Sequence, residues 1–140
     1  MVKPVKMETQ VRQIHEQMGF NDIEDTRRAI GRVMHVIRDT LSDKDANKLS
    51  FLLPNDLLVI YLSAWPYKAP KGELKHLDQL VKAVDVEDRS KKNSVFNTEI
   101  DILKCVLLVI KHLDREVDII DKLPITLQQE IRGALIESAA

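Results

Sequence analysis

Apolar residues recur along this chain at spacings of three and four, the period of an amphipathic helix. No Asn-Gly or similar hairpin signal separates alternating runs. Met7, Val11, Ile14 and Met18 form a first stripe, and Gly19 follows as a stop. A second helix is predicted from Asp22, whose carboxylate suits the open amides of a first turn, through Ile30, Val33, Met34, Ile37 and Leu41. Arg27, Arg28, Arg32 and Arg38 are expected to point largely away from that stripe. Ser42-Asp43-Lys44-Asp45 has the spacing of a capping box, with Asp where Glu or Gln serves better. It predicts a short third helix through Ala46, Leu49, Leu52 and Leu53. Pro54 ends that helix and suits the first turn of a fourth, carrying Leu57, Leu58, Tyr61 and Trp65, because the amide it lacks would be unpaired there anyway.

Residues 65–72, rich in proline and lysine and closed by Gly72, read as a connector. Beyond it Leu74, Leu77, Leu80, Val81 and Val84 predict a fifth helix, residues 85–93 a polar loop, and Ser94 the cap of a sixth helix. That helix carries Ile102, Cys105, Val106, Val109 and Leu113, and its wide apolar coverage makes it the expected centre of the fold. Asp114 is expected to cap a short seventh helix through Val117, Ile119 and Ile120, and Pro124 to open an eighth with Leu127, Ile131, Ala134 and Leu135.

The second series repeats the first. A shift of 72 pairs Asp22 with Ser94, Ile30 with Ile102, Val33 with Cys105, Met34 with Val106, Ile37 with Val109, Leu41 with Leu113 and Ser42 with Asp114. A shift of 70 pairs Leu53-Pro54 with Leu123-Pro124 and Leu57 with Leu127, and a shift of 66 pairs Val11, Ile14 and Met18 with Leu77, Leu80 and Val84. The expectation is an all-α bundle of about eight helices. It forms one domain over 1–140, built from two related four-helix halves, about 5–65 and 73–138, joined by the connector 65–72.

Leu41-Ser42-Asp43-Lys44-Asp45-Ala46, Leu52-Leu53-Pro54-Asn55-Asp56-Leu57 and, more weakly, Lys122-Leu123-Pro124-Ile125-Thr126-Leu127 give a long helix, a capped short helix and a Leu-Pro corner, twice over. In that order of features the chain resembles the bacterial family filed as domain of unknown function 2267, over nearly its whole length. Ile125 departs from the pattern, standing where a polar residue is expected. The resemblance implies the helical fold and carries over no reaction, ligand or catalytic residue.

Composition adds compartment and excludes classes. With 140 residues, 44% hydrophobic and 31% charged, the chain has globular usage and length enough for a core. Its net charge of −1 divides evenly, with nine basic and nine acidic side chains in 1–66 and twelve and thirteen in 67–140. Neither half is a charged tail. The single cysteine, Cys105, beside Val106, Leu107 and Leu108, is expected to be a buried thiol of a reducing compartment. The Met1–Lys6 stretch lacks the apolar run of a signal peptide, and Cys105 to Ile110 is too short to span a bilayer, so a cytoplasmic location and no membrane association are expected.

Candidate chemistry fails on spacing. His112-Leu113-Asp114-Arg115-Glu116-Val117-Asp118 has the acidic density of a cation site, but charges at helix ends account for it. Asp85 to Ser90 begins like a calcium loop, yet position six is Ser90 and position twelve is Phe96. His15-Glu16 begins like a zinc-protease helix, but Gly19 stands where the second histidine belongs. No glycine-rich phosphate loop occurs. Arg27, Arg28, Arg32 and Arg38, and the corner of Lys68, Lys71, Lys75 and His76, are interleaved with Glu24, Asp25, Asp39, Glu73 and Asp78. Nucleic-acid binding, which needs a local excess of positive charge, is therefore not expected.

No catalytic residue, cofactor or metal is assigned. The leading expectation is a non-catalytic interaction or scaffold module that contacts a protein partner or itself. The alternative is a small-molecule sensor with its pocket between the two halves. The candidate contact residues are Trp65, Tyr67, Lys68 and Lys71, because aromatics beside lysines in a connector can grip a partner without disturbing a core. Against that, Trp65 pairs with Leu135 in the repeat, which marks a core position.

Overall fold

Gly19 closes the first helix, α1 (Thr9–Met18), at φ +78°, a left-handed conformation open to a residue without Cβ, and its amide donates to the His15 carbonyl at 3.0 Å. The computed structural model describes residues 9–63 and 74–139. Asp22 then caps α2 (Ile23–Thr40), its carboxylate accepting from the Asp25 amide at 2.9 Å, and Ser42 caps α3 (Asp43–Leu49) through the Asp45 amide at 3.1 Å. Pro54 stands at the N-cap of α4 (Asn55–Leu62). The second series gives α5 (Leu77–Arg89), α6 (Glu99–Val117), a 3₁₀ turn over Ile119–Lys122 and α7 (Ile125–Ala139). Among the described residues the fold is all helical, with seven α-helices and no strand.

The two long helices lie side by side at the centre. α2 touches α1, α4, α5 and α6, and α6 touches α1, α2, α5, α7 and the 3₁₀ turn. Ile30, Val33, Met34 and Ile37 of α2 meet Ile102, Cys105, Val106, Val109, Ile110 and Leu113 of α6 in one buried cluster with Val11, Ile14, Leu57, Tyr61, Leu80, Val84, Leu127 and Ile131. Apart from Ile110, which the sequence reading leaves off the stripe, these are the positions that the helical period predicts. α6 was expected as the centre, yet α2 is the more enclosed of the two. Residues 29–38 of α2 are buried without a break, whereas α6 exposes Lys104 and Lys111.

α3 ends at Leu49 instead of running through Leu52 and Leu53, and α5 begins at Leu77 instead of Leu74. Three further boundaries differ from the sequence reading, each for a visible reason. α5 continues through Asp85–Arg89 instead of yielding to a polar loop, because Arg89 pairs with Asp85 at 2.9 Å, Lys91 pairs with Glu87 at 3.3 Å and Asp88 is turned inward. The cap of α6 is Thr98 and not Ser94. Asp88 takes the amides of Val95 (3.0 Å) and Phe96 (3.1 Å), and Arg32 takes the Asn93 carbonyl (2.8 Å), so residues 93–96 are held out of the helix. The edge of Phe96 against Phe20, with ring centroids 6.1 Å apart, fastens the same segment. α6 also runs past Asp114 to Val117, so the expected seventh helix is reduced to the 3₁₀ turn and eight helices become seven. Asp118, in the left-handed region at φ 53°, ends α6, and Asp114 accepts from the Ile120 amide at 3.0 Å, holding that turn.

Candidate partner-contact surface

Trp65, Tyr67, Lys68 and Lys71, the contact residues expected from the sequence, lie outside the described residues, as does the connector 65–72. The chain leading into them is described. α4 has the sequence Asn-Asp-Leu-Leu-Val-Ile-Tyr-Leu, apolar on every face, while an eight-residue helix packed on one side can bury only part of its circumference. Leu57, Ile60 and Tyr61 turn inward. Val59 (72% exposed) and Leu62 (41%) turn outward, and in the corner before α4 Phe51 (85%) and Leu52 (49%) do the same. The other exposed large apolar residues, Val86, Ile100, Ile125 and Ile136, are spread over α5, α6 and α7.

This stretch also carries little charge. From Phe51 to Ser63 the only carboxylate is Asp56, in a chain that is 31% charged. Asp56 is engaged, one oxygen accepting from the Val11 amide at 3.0 Å and the other from its neighbour Leu57 at 2.9 Å. What faces water is Phe51, Leu52, Asn55, Val59, Leu62 and Ser63.

Two basic side chains of α2 hold α4 in place from beneath. Arg38 donates through Nη1 to the Tyr61 carbonyl at 2.7 Å and to the Ser63 carbonyl at 3.5 Å, and its guanidinium carbon lies 5.8 Å from the Tyr61 ring centroid. His35 Nε2 lies 3.3 Å from the Ile60 carbonyl. Cations and N–H donors at a helix C-terminus satisfy carbonyls that have no partner within the helix. Burial, then the Arg38 charge, lowers the His35 pKa, so the ring is neutral near neutral pH and donates from Nε2. Tyr61 donates its hydroxyl to the Ala46 carbonyl at 2.6 Å, tying α4 to α3, and burial pushes its pKa up to about 12.

Arg32 and Arg38 were expected to point away from the core, and both are buried instead. Arg32 pairs with Asp88 at 3.0 Å across α2 and α5, and Arg38 spends its charge on α4. Their long stems let a guanidinium cross a helix interface to distant carbonyls and carboxylates, which sequence spacing within one helix does not register. Arg27 and Arg28 are half-buried and pair with Glu24 and Asp25 on their own helix. Thus the four arginines form no single basic strip.

Elsewhere the polar groups are turned on one another. His112 is buried, with Nδ1 2.6 Å from Gln10 Oε1, and burial followed by Arg115 and Lys111 lowers its pKa. Cys105 is fully enclosed and burial pushes its thiol up to about 12, which removes the thiolate that reactivity needs. No group of three His, Cys, Asp or Glu residues is placed to hold a metal ion among the described residues. Nor is any helix among them long and apolar enough to cross a membrane.

A model of the family described as "Uncharacterized conserved protein (DUF2267)" matches residues 8–133. The chain belongs to this family. No curated protein matches it. In this DUF2267 chain an open cleft of about 930 Å³ lies where the starts of α5 and α6 meet α7, lined by His76, Leu77, Val81, Lys82, Ile100 and Glu130 among others. All of its lining residues fall within 76–130, so it does not lie between the two halves expected from the sequence, where the sensor pocket was placed. Glu130 accepts from the Leu77 amide at 2.6 Å and lies 3.1 Å from His76 Nδ1, and those two contacts, the amide first, lower its pKa. The carboxylate thereby satisfies the first amide of α5, whose N-cap is His76.

The exposed Phe51, Leu52, Val59 and Leu62 are not among the contact residues that the sequence points to, and Leu52 is expected in the apolar stripe of α3. A signal was present, since the whole run from Phe51 to Tyr67 contains one charged residue, Asp56. A helix of eight residues cannot bury such a run on all sides, so part of it had to surface.

Proposed function

We propose that this protein is a non-catalytic helical contact module, one domain of two related halves, which binds another protein surface through the corner after α3 and the outer face of α4. The observation that carries the reading is the concentration of Phe51, Leu52, Val59 and Leu62, all exposed, in one short stretch free of unengaged charge. Exposed apolar groups scattered singly need no explanation, whereas a neutral cluster rigidly held from beneath has the character of an interface core. In the sequence the same low-charge run continues through Trp65 and Tyr67. A cytoplasmic, reducing setting is part of this reading.

A photo-crosslinking residue placed at Val59, with a control at the exposed Lys104, tests the proposal in cells. Protein adducts at position 59 and none at 104 are expected. If position 59 yields no adduct with any protein, the contact reading fails.

The cleft at α5, α6 and α7 favours a second reading, a small-molecule sensor. Leu77, Val81, Ile100 and Leu103 would contact the apolar part of a ligand, and Lys82 is its available cation. A metabolite screen by thermal shift separates the readings, because a ligand at a hundredfold excess over its Kd adds about 2.7 kcal/mol to the folded state.

A further inference from the structure

The repeat read from the sequence pairs Gly31 of α2 with Leu103 of α6, at the shift of 72, and Ile60 of α4 with Glu130 of α7, at the shift of 70. The two joints are built differently. A Cβ on Gly31 would meet Ile60 Cγ2 at 3.5 Å, so α4 lies flush on α2 through a residue without a side chain and an apolar partner. On α6 and α7 a leucine stands in the place of the glycine and a carboxylate in that of the isoleucine. Glu130 turns to the Leu77 amide at 2.6 Å, and Leu103 is left half-buried at the edge of the cleft of about 930 Å³. The opening is thus a matter of residue choice at a joint that the first series closes, and its size is that of a small-molecule site.

We infer that this cleft binds an α-amino acid with a large apolar side chain; this rests on the sensor reading above. Leu77, Val81, Ile100 and Leu103 supply the apolar wall for the side chain. Asp78, Lys82 and Glu99 line the same cleft and are exposed, and among the described residues none of the three side chains makes an ion pair or hydrogen bond. His76 and Glu130, by contrast, are already engaged with each other at 3.1 Å. Asp78 and Lys82 stand four residues apart on α5, so one face of that helix offers the cleft both signs of charge about one turn apart. Glu99, the first residue of α6, adds a second carboxylate. This charge set selects among ligands with an apolar body. A simple anion meets two like charges, and a simple amine faces Lys82 with its own sign. A zwitterion suits both, its ammonium taken by Asp78 and Glu99 and its carboxylate by Lys82, each a charge-assisted contact of the stronger kind.

Titration of the full chain with L-phenylalanine to about 20 mM, past a millimolar Kd, followed by amide NMR shifts, gives the test. Saturable shifts confined to residues 76–82, 99–103 and the surroundings of Glu130 are expected. N-acetylphenylalanine, which lacks the ammonium, and phenylalaninamide, which lacks the carboxylate, should each bind about tenfold more weakly, the loss of one contact between charged groups. Lys82→Met should bind phenylalanine and its amide alike. Asp78→Asn combined with Glu99→Gln should bind phenylalanine and its N-acetyl form alike, and both variants should keep their helical circular dichroism because the three side chains are exposed. The assignment is overturned by the absence of saturable shifts at these residues, by either analogue binding as tightly as phenylalanine, or by a Lys82→Met variant that still prefers the acid to its amide. If phenylalanine fails while another metabolite from the thermal-shift screen moves the same amides, the amino acid is removed and the sensor reading stands. If nothing in that screen moves them, both fall.

Discussion

Arg32, His35 and Arg38 lie inside the fold on α2, while Phe51, Leu52, Val59 and Leu62 lie outside it around α4. Each group reverses the ordinary distribution of polarity, yet the two are resolved differently. Every one of the buried basic side chains meets an acceptor: Arg32 has Asp88 and the Asn93 carbonyl, Arg38 has the carbonyls at the end of α4, and His35 has the Ile60 carbonyl. Their anomaly is complete within the chain, and their work is to fasten helices and loops. The exposed apolar side chains have no such resolution within the described residues. A departure from the usual pattern thus points to function only where the chain itself leaves it open.

The strongest way to sharpen this contrast is to break a buried partner. Asp88→Ala should cost about 3–5 kcal/mol in chemical denaturation, because it strands the Arg32 charge in a buried setting and also orphans the amides of Val95 and Phe96. A cost under about 1 kcal/mol would mean that Arg32 is solvated after all. Tyr61→Phe comes next, at about 1–3 kcal/mol, since it leaves the buried Ala46 carbonyl without its donor and keeps the ring in place. Loss of that bond should also loosen α3 against α4, seen as faster amide exchange in Asp43–Leu49.

Acid should act more gently and through the same buried polar side. His35 is faced by Arg38 on its own helix, by the Ile60 carbonyl of α4 and by Glu87 and Lys91 from α5 and its end; His112 is faced by Arg115, Lys111, Gln10 and Asp56. Both pKa values are lowered from 6.5 in the fold, chiefly by burial. The unfolded chain therefore binds more protons as pH falls below 6.5. The stabilisation from keeping these rings neutral is complete above that pH and is lost progressively beneath it. Denaturation midpoints measured between pH 7 and 5 should fall, and replacing both histidines with Gln should flatten the slope. A slope unchanged by that replacement would place the acid sensitivity elsewhere.

Legibility in the sequence followed the reach of each interaction. Asp22 and Ser42 as caps, Gly19 as a stop, Pro54 at a helix start and the buried stripes of α2 and α6 are local, and all are where periodicity and capping put them. The start of α6 was misplaced by four residues, from Ser94 to Thr98, because its position is set by Arg32 and Asp88 from two other helices. Likewise Arg38 reads as a solvated helix residue until the end of α4 is seen beside it. The proposed contact surface is half legible: the low charge of Phe51 to Tyr67 stands in the sequence, but which apolar residues of α4 remain uncovered depends on how that helix lies against α2.

The smallest expected effect is the most direct test of that division between a fastening interior and an open corner. Denaturant titration of Val59→Asp, at a concentration low enough that neither chain self-associates, should return the wild-type midpoint and slope, within about 0.5 kcal/mol, as for any exposed position. A loss of about 2 kcal/mol or more would show that Val59 is part of the packing that holds the fold, and the outer face of α4 would then have no claim to be a surface kept for a partner.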